Sequence, residues 1–114
     1  MDQLSQVFAA LADPTRRDLV ARLAESDASV GELAAPYDVS VQAVSKHLKV
    51  LEQAGVVSRA GEGRRSPVHL EAQTLGLMTD WLERYRRRAE ARYERLETVL
   101  AAMSESPSSR RDPQ

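Results

Sequence analysis

The sequence predicts a mostly α-helical fold with one small β-hairpin, in which four helices precede the hairpin and one long helix follows it. Three observations carry this prediction. The stretch from Ser40 to Gly55 has the apolar spacing of a single helix and a polar, cationic outer face. A basic, glycine-containing hairpin, Ser58 to Leu70, follows it directly. An apolar stripe of nearly heptad spacing then runs from Thr74 to Met103. This order is typical of a winged helix-turn-helix.

The length and composition of the chain predict a single domain. The chain has 114 residues, of which 42% are hydrophobic and 29% are charged. We expect the domain over residues 1–103 and a disordered tail, rich in serine, proline and charge, over residues 104–114. Cysteine is absent from the sequence, which excludes disulfides and thiolate metal sites. Because no segment has the roughly 20 apolar residues that cross a bilayer and the start lacks a secretion signal, we expect a cytoplasmic protein with no membrane partner.

The first two helices are predicted from their apolar faces and from one strong start signal. The first covers Gln3–Ala12. The pair Asp13-Pro14 then starts the second, because Asp is a good N-cap and Pro at the first helical position forfeits no hydrogen bond. The second helix runs from Pro14 to about Glu25. One face of the first helix carries Leu4, Val7, Phe8 and Leu11, and the side chains of the second helix that we expect to face inward are Leu19, Val20 and Leu23.

The third helix is short. Residues Ser26–Ala28 are predicted to form a loop. Ser29 and Glu32 have the spacing of a capping box, so a helix is expected over about Val30–Ala35, and Pro36 stops it. The three residues that follow make a tight turn.

The fourth helix has a defined start and a defined end. Ser40 can cap its first free N–H groups, and Gly55 lies where a left-handed residue ends a helix. Val44, Leu48 and Leu51 share one face, which we predict to be buried. Two helices joined by a tight turn, the second of them polar on its outer side, form a helix-turn-helix unit.

Two strands and a long helix complete the chain. Val56–Ala60 and Ser66–Leu70 are predicted as a hairpin, because two glycines lie in the polar connection between them. Pro67 removes one ladder donor, which predicts an edge strand. The final helix, about Thr74–Met103, is about 40 Å long at about 1.5 Å per residue. A small domain does not cover a helix of that length, so we expect its apolar stripe to pair with a second copy of the chain.

The charge distribution points to a polyanionic partner. The net charge of −1 argues weakly against nucleic acid. However, residues 1–39 carry three basic and seven acidic side chains, whereas residues 40–70 carry five basic and two acidic ones. Residues 71–103 carry six of each. The helix and hairpin of residues 40–70 therefore form the positive segment, and a local field steers a polyanion more than the total charge does.

The outer face of the fourth helix and the hairpin tip carry groups suited to double-stranded DNA. Glutamine can form two hydrogen bonds with adenine, alanine can contact the thymine methyl group, and lysine and arginine bind phosphate. The alternative is a solvated helix face and a loop that only keeps the protein in solution. The candidate DNA-contacting residues are Ser40, Gln42, Ala43, Ser45, Lys46, Lys49, Arg64 and Arg65.

The two histidines of the chain and two arginines near its N-terminus can each be interpreted in more than one way. His47 and His69 are far apart in a chain without cysteine, so they do not make a zinc site of the usual type, and no metal or cofactor is predicted. For His47 we favour a packed side chain bonded to backbone or phosphate. Arg16 and Arg17 can contact phosphate or form salt bridges with nearby acids. Arg59 and His69, on the strands, are weaker DNA candidates.

The final helix is rich in charge and in aromatic side chains. Arginines over residues 84–95 alternate with glutamates, which predicts an ion-pair face, with Glu83 and Arg87 in the favourable i, i+4 order. Three aromatic residues are typical of an interface core, with a small apolar effector site as the alternative: Trp81, Tyr85 and Tyr93. An enzyme is not predicted, because phosphate-binding loops, activated serines and histidine–carboxylate pairs at motif spacing are missing from the sequence.

Four motifs occur in this order along the chain: Ala10-Leu11-Ala12-Asp13-Pro14-Thr15-Arg16-Arg17, Gly31-Glu32-Leu33-Ala34, the run from Val44 to Val57, and Gly63-Arg64-Arg65. With these motifs the chain resembles, over about residues 3–100, the ArsR family of bacterial winged-helix repressors. The resemblance implies a repressor that occupies an operator as a homodimer built from the first and last helices. The interface residues expected from it are Leu4, Val7, Phe8, Leu11, Met78, Leu82, Tyr85, Ala89 and Leu96.

The resemblance does not extend to metal binding. Founding members of the family carry a cysteine pair just after the Glu-Leu of the third helix, where this chain has Glu32-Leu33-Ala34-Ala35-Pro36. Other members bind zinc through Asp and His of the last helices, and here Asp80 is present but the final helix has no histidine. The chain therefore resembles the metal-independent members. A protein-interaction module, and a sensor gated by an unknown small-molecule effector or by non-thiol metal ligands, remain the alternatives.

Overall fold

The computed structural model describes residues 2–61, 63 and 65–104. Within these residues it contains five helices and three short strands, in the mostly helical order that the sequence predicts. The elements are α1 (Gln3–Ala10), α2 (Pro14–Glu25), β1 (Ala28–Ser29), α3 (Val30–Ala34), α4 (Val41–Gln53), β2 (Val57–Arg59), β3 (Pro67–Leu70) and α5 (Ala72–Ser104). The predicted tail lies outside the described residues except for Ser104, which ends α5.

The predicted helix starts are confirmed by their side-chain caps. The Asp13 carboxylate accepts a hydrogen bond from the Arg16 backbone N–H at 3.0 Å, and proline occupies the first turn of α2. Ser29 and Glu32 form both bonds of the capping box at α3. The Ser40 hydroxyl oxygen accepts from the N–H of Ala43 at 3.1 Å. Each cap satisfies backbone donors that the helix itself leaves free.

The end of α4 is also as predicted. Gly55 has a φ of +82°, the left-handed conformation that residues with a side chain rarely adopt. A Cβ at this position would lie 2.8 Å from the side-chain nitrogen of Gln3. That nitrogen donates to the carbonyl of Ala54 at 3.4 Å, so the start of α1 lies directly against the end of α4.

The sheet differs from the predicted hairpin. Its strand order is β1-β3-β2, and both pairs are antiparallel. Ala28, predicted to be in a loop, pairs with Val68 as part of β1. The edge-strand prediction for β3 is wrong, because β3 is the central strand. Pro67 is tolerated there because it is the first residue of the strand, where one missing donor interrupts the ladder least.

The core lies among α1 to α4 and the sheet. The predicted inward residues Leu19, Leu23, Val44, Leu48 and Leu51 are all buried. One interface prediction needs correction: Val7 has no exposed surface, so it belongs to this core and is not available to a second copy. The other buried apolar residues are Ala10, Val30, Leu33, Ala34, Ala54, Val56, Val57 and Val68.

The chain divides into two compact units, Met1–Thr79 and Asp80–Gln114. The first contains the core and all three strands. The described part of the second is the helical segment up to Ser104, and α5 contains no buried residue. The described helices include none that is long and apolar enough to cross a membrane.

One ion pair at the sheet gives a testable pH dependence. The Nδ1 atom of His69, on β3, lies 3.0 Å from a carboxylate oxygen of Asp27, just before β1. The hydrogen bond and charge of Asp27 raise the pKa of His69 above its ordinary value of about 6.5. The pair therefore stabilises the fold fully below about pH 6.5, and its contribution is lost as pH rises through the raised pKa.

We expect an NMR titration of His69 to give a midpoint above that of a histidine in a short peptide. Asp27→Asn should lower the midpoint toward the peptide value, although the charge of Glu71 continues to raise it, whereas Asp38→Asn should leave the midpoint where it is. An unshifted midpoint in the unmodified protein would contradict the ion pair.

Candidate nucleic-acid interface

The two faces of α4 differ sharply in burial and chemistry. Val44, Leu48 and Leu51 are fully buried, which holds the helix against the core. The opposite side leaves Gln42 and Lys46 exposed. Of the other predicted DNA contacts on this helix, Lys49 and the capping residue Ser40 are exposed, and Ala43 and Ser45 are half-buried. We call these six residues the outer face of α4. The fold leaves this face uncovered over the part of the chain that is described.

A cleft of about 290 Å³ separates α4 from the β2–β3 connection. Its lining includes Ser45 and Lys49 of the outer face and Gly61 and Gly63 of the connection. Arg59, which the sequence ranks as a weak DNA candidate, also lines this cleft. Lys49 and Arg59 thus lie together in one cleft beside the outer face, although they belong to separate elements of the chain.

Arg59 is held in place by an acidic residue of α4. Its Nε atom lies 3.6 Å from a carboxylate oxygen of Glu52, and its side chain is only 13% exposed. The pair joins the hairpin to α4 and partly neutralises the cleft. Lys49, for which no ion pair is recorded within the described part of the chain, remains the free cation of this cleft.

The hairpin tip is described in part. Arg65 is exposed, and Gly63 has a φ of +98°. The N–H of Ser66 donates to the carbonyl of Gly63 at 3.2 Å. Arg64, the other predicted tip arginine, lies outside the described residues. The tip therefore presents at least one exposed cation, Arg65.

Arg22 of α2 positions α3, the first helix of the helix-turn-helix unit. Its guanidinium donates to the carbonyls of Leu33 at 2.7 Å and Glu32 at 3.1 Å, where the short helix α3 ends. The same guanidinium lies over the ring of Tyr37, 5.6 Å from its centroid. The Tyr37 hydroxyl donates to Asp18, and burial together with this bond raises the pKa of the phenol. Sequence reasoning missed this group, because its members are 4 to 19 residues apart.

We expect Arg22→Lys to destabilise the protein by about 1 kcal/mol, because an ammonium group replaces a fork that bonds two carbonyls and stacks on a ring. Thermal denaturation followed by circular dichroism measures the loss. Arg17→Lys is the matched control, since Arg17 donates to a single carbonyl, that of Leu11, and is exposed. Equal melting temperatures for the two variants would show that Arg22 does not hold α3.

The Arg16 guanidinium bonds to the end of α1 and, among the described residues, has no carboxylate within 4.0 Å. Its Nε donates to the carbonyl of Ala10 at 2.6 Å, and Nη2 donates to that of Ala9 at 3.4 Å. Its Nη1 lies 3.3 Å from Nδ1 of His47, on α4. The arginine thus caps the last carbonyls of α1 and also contacts the helix that carries the outer face.

His47 is half-buried, and its ring nitrogen contacts side chains rather than the backbone, one of the two partners expected from the sequence. Its Nδ1 lies 3.8 Å from Asp13 as well as near Arg16. The Arg16 backbone N–H, and then the charges of Arg16 and His47, lower the pKa of Asp13. No group of three or more metal-ligating side chains occurs among residues 2–61, 63 and 65–104. The histidine therefore belongs to the contact between α2 and α4.

The unit from Asp80 onward exposes an apolar stripe and a charged edge. Leu82, Tyr85 and Leu96 are between 43% and 50% exposed, although they are large apolar side chains. The predicted pair of Glu83 and Arg87 is present at 3.2 Å. The other predicted interface residues are Ala89, which is exposed, and Leu4, Phe8, Leu11 and Met78, which are half-buried.

The aromatic residues of this unit are largely exposed. Trp81 and Tyr85 have ring centroids 4.8 Å apart, and the guanidinium of Arg88 lies 5.4 Å from the Tyr85 centroid. Trp81, Tyr85 and Tyr93 are each at least 39% exposed. Large exposed apolar side chains in a row along one helix are typical of an interaction surface.

Comparison with known proteins places this architecture among DNA-binding regulators. A helix-turn-helix domain family matches residues 11–59. The HTH-type transcriptional regulator Rv2034 of Mycobacterium tuberculosis is 42% identical over 91 residues, covering 80% of this chain and 85% of that protein. The transcriptional repressor SdpR of Bacillus subtilis is 32% identical over 79 residues, covering 69% and 88%. The crystal structure of the ArsR family transcriptional regulator RHA00566 has a TM-score of 0.72 and 35% identity, covering 78% of this chain and 98% of that one.

Proposed function

Because the chain belongs to the ArsR family of winged helix-turn-helix transcriptional regulators, we propose that it is a sequence-specific DNA-binding repressor that acts as a homodimer on an inverted-repeat operator. The observation that carries this proposal is the uncovered outer face of α4. Its amide, hydroxyl and ammonium groups lie on a helix whose other side is fixed in the core.

DNA binding divides into two tasks. Lys49 and Arg65, beside the cleft and at the hairpin tip, contact phosphates and supply salt-dependent affinity for any duplex. Gln42 and Lys46, on the outer face, enter the major groove and discriminate bases through hydrogen bonds to their edges. The Ser40 hydroxyl caps the N–H of Ala43, and the other N–H groups at the start of α4 are available to bind phosphate.

The homodimer is supported by the exposed apolar stripe of α5. Single exposed apolar residues are normal on a protein surface, but a continuous row is not. Leu82, Tyr85 and Leu96 recur at the spacing of one helix face, with Leu100 and Met103 extending it. We assign this stripe, with the half-buried side chains of α1, to the second copy.

A two-fold dimer presents two copies of α4 to one face of the DNA. Its half-sites are therefore about one helical turn, roughly 34–36 Å, apart. Since its partner is genomic DNA, the protein acts in the cytoplasm.

The test is selection of bound sites from random duplex DNA, together with the mass of the complex by ultracentrifugation. We expect a palindromic consensus and two chains per duplex. Binding that shows no preference among duplexes, or capture of a protein partner without DNA binding, would refute the proposal and favour an interaction module.

A further inference from the structure

A second cleft lies between α1 and α4, apart from the residues assigned to DNA. Its volume is about 220 Å³, and all its lining residues belong to the unit Met1–Thr79. One wall consists of Ala9 and Ala10 from α1, and the opposite wall consists of Val50 and Ala54 from the end of α4. Val50 is 39% exposed, so its apolar surface is accessible from the cleft. The cleft therefore has apolar walls of small side chains.

The polar groups of the cleft are two amides and one cation. Gln6 and Gln53 line it together with Arg16. No aspartate or glutamate is among its lining residues, so within the described chain the charge facing the cleft is positive. Asp13, the acid near Arg16, is outside the lining, and its carboxylate is engaged by the N–H of Arg16 at the start of α2.

Arg16 retains hydrogen-bonding capacity toward the cleft. A guanidinium has five N–H donors. The bonds to the carbonyls of Ala9 and Ala10 and the contact with His47 use one donor on each of the three nitrogens. One N–H on Nη1 and one on Nη2 remain, and Arg16 has no carboxylate within 4.0 Å among the described residues. A carboxylate is the group that a guanidinium with two free N–H donors binds best.

We propose that this cleft binds a small amphipathic carboxylate, whose apolar body packs against Ala9, Val50 and Ala54 and whose carboxylate is bound by Arg16. The side-chain amides of Gln6 and Gln53, which also line the cleft, stabilise the polar edge of this ligand. Small apolar clefts with few convergent polar groups are the usual form of ligand sites.

Binding at this position also provides regulation. The bound carboxylate contacts α1 and α4 together, and Arg16 touches His47 on the helix that carries the outer face. A ligand whose carboxylate is bound by Arg16 therefore changes the placement of α4 against α1 and lowers the affinity of the protein for DNA. This regulatory consequence depends on the proposed function, whereas binding of the carboxylate does not.

The experiment uses benzoate as the probe and benzamide as its neutral, isosteric control, added to the full chain without DNA. We expect benzoate to bind with a Kd of about 1 mM, the range open to a ligand of this size. Backbone amide NMR shifts should change at Ala9, Val50 and Ala54, and benzamide should bind at least about fivefold more weakly. Equal binding of the two probes, or shifts that map elsewhere, would overturn the proposal.

Two variants separate the site from general effects on folding. Arg16→Lys keeps the charge but loses the two-donor geometry, so benzoate should bind at least about fivefold more weakly. Ala9→Phe fills the cleft from an exposed position and should abolish benzoate binding, whereas Ala24→Phe, at an exposed position on α2, should not. Retained binding in Ala9→Phe overturns the site.

A final measurement adds benzoate to the complex with the selected DNA. Release of DNA from the unmodified protein but not from Ala9→Phe supports regulation through the cleft. If benzoate binds as described and DNA remains bound, the regulatory part is overturned while the binding site stands. If no duplex binds at all, the proposed function fails independently of the carboxylate site.

Discussion

Replacing Leu96 by glutamate is expected to convert the homodimer into a monomer. Leu96 lies in the exposed apolar stripe of α5, and a carboxylate placed there loses its water when the apolar side chains of a second copy cover the stripe. Burying an unpaired polar group costs at least about 2–3 kcal/mol, and a charge costs more. Since about 1.4 kcal/mol corresponds to a tenfold change in a dissociation constant, the dissociation constant of the dimer should rise at least about a hundredfold. Sedimentation equilibrium over a range of concentrations measures the change.

Thr98→Glu is the matched control for this experiment. It adds the same charge two residues away, at an exposed position whose hydroxyl bonds only to the carbonyl of Glu94 on the same helix. This variant should remain dimeric. If Leu96→Glu sediments as an intact dimer, the stripe is not the interface, and the assignment of Leu82 and Tyr85 to it falls as well.

Replacing Lys46 by alanine is expected to change which DNA sequence the protein selects. Lys46 is exposed on the outer face of α4, one helical turn after Gln42. A base contact of this kind contributes about 1–3 kcal/mol of discrimination, so affinity for the selected operator should fall about 10-fold to 100-fold. Affinity for random duplex should change much less. Titrations of both duplexes at fixed salt, followed by repeated site selection, measure the difference.

Lys49→Ala removes another lysine side chain, about one turn further along α4 and at the cleft. We expect this variant to change the overall affinity for DNA and not the sequence preference. Lys49 faces the cleft beside Arg59, where phosphate is the expected partner. Its loss should weaken binding to all sequences alike and reduce the slope of log affinity against log salt by about one. An unchanged consensus after Lys46→Ala, or an altered one after Lys49→Ala, would contradict this division of tasks.

Helix starts and buried faces were predictable because they depend on neighbours within one turn. The caps at Asp13, Ser29 and Ser40 each join residues three apart, so their spacing is visible in the sequence. The apolar spacing of Val44, Leu48 and Leu51 follows from the 3.6-residue period of the helix. The outer face of α4 was predictable for the same reason, since it is the complement of that buried face.

Contacts between distant segments were not predictable in this way. Strand β1 is only two residues long, and it exists because β3, some 40 residues later, supplies its hydrogen bonds. That pairing makes β3 the central strand and overturned the interpretation of Pro67. The Asp27–His69 pair across the same sheet joins residues 42 apart, and nothing local signals it.

The order of the residues is enough to predict where the helices begin, which of their faces are apolar, where positive charge concentrates and which family the chain resembles. The folded chain is needed to see that Val7 is buried in the core, that Arg16 and Arg22 bond to carbonyls of neighbouring helices, and that Arg59 lies in the cleft beside Lys49. These two sets of features differ in the range of the interactions that create them. Capping and periodicity act within about four residues, whereas the partner of a long side chain is fixed by how whole helices pack, which is a property of the folded chain.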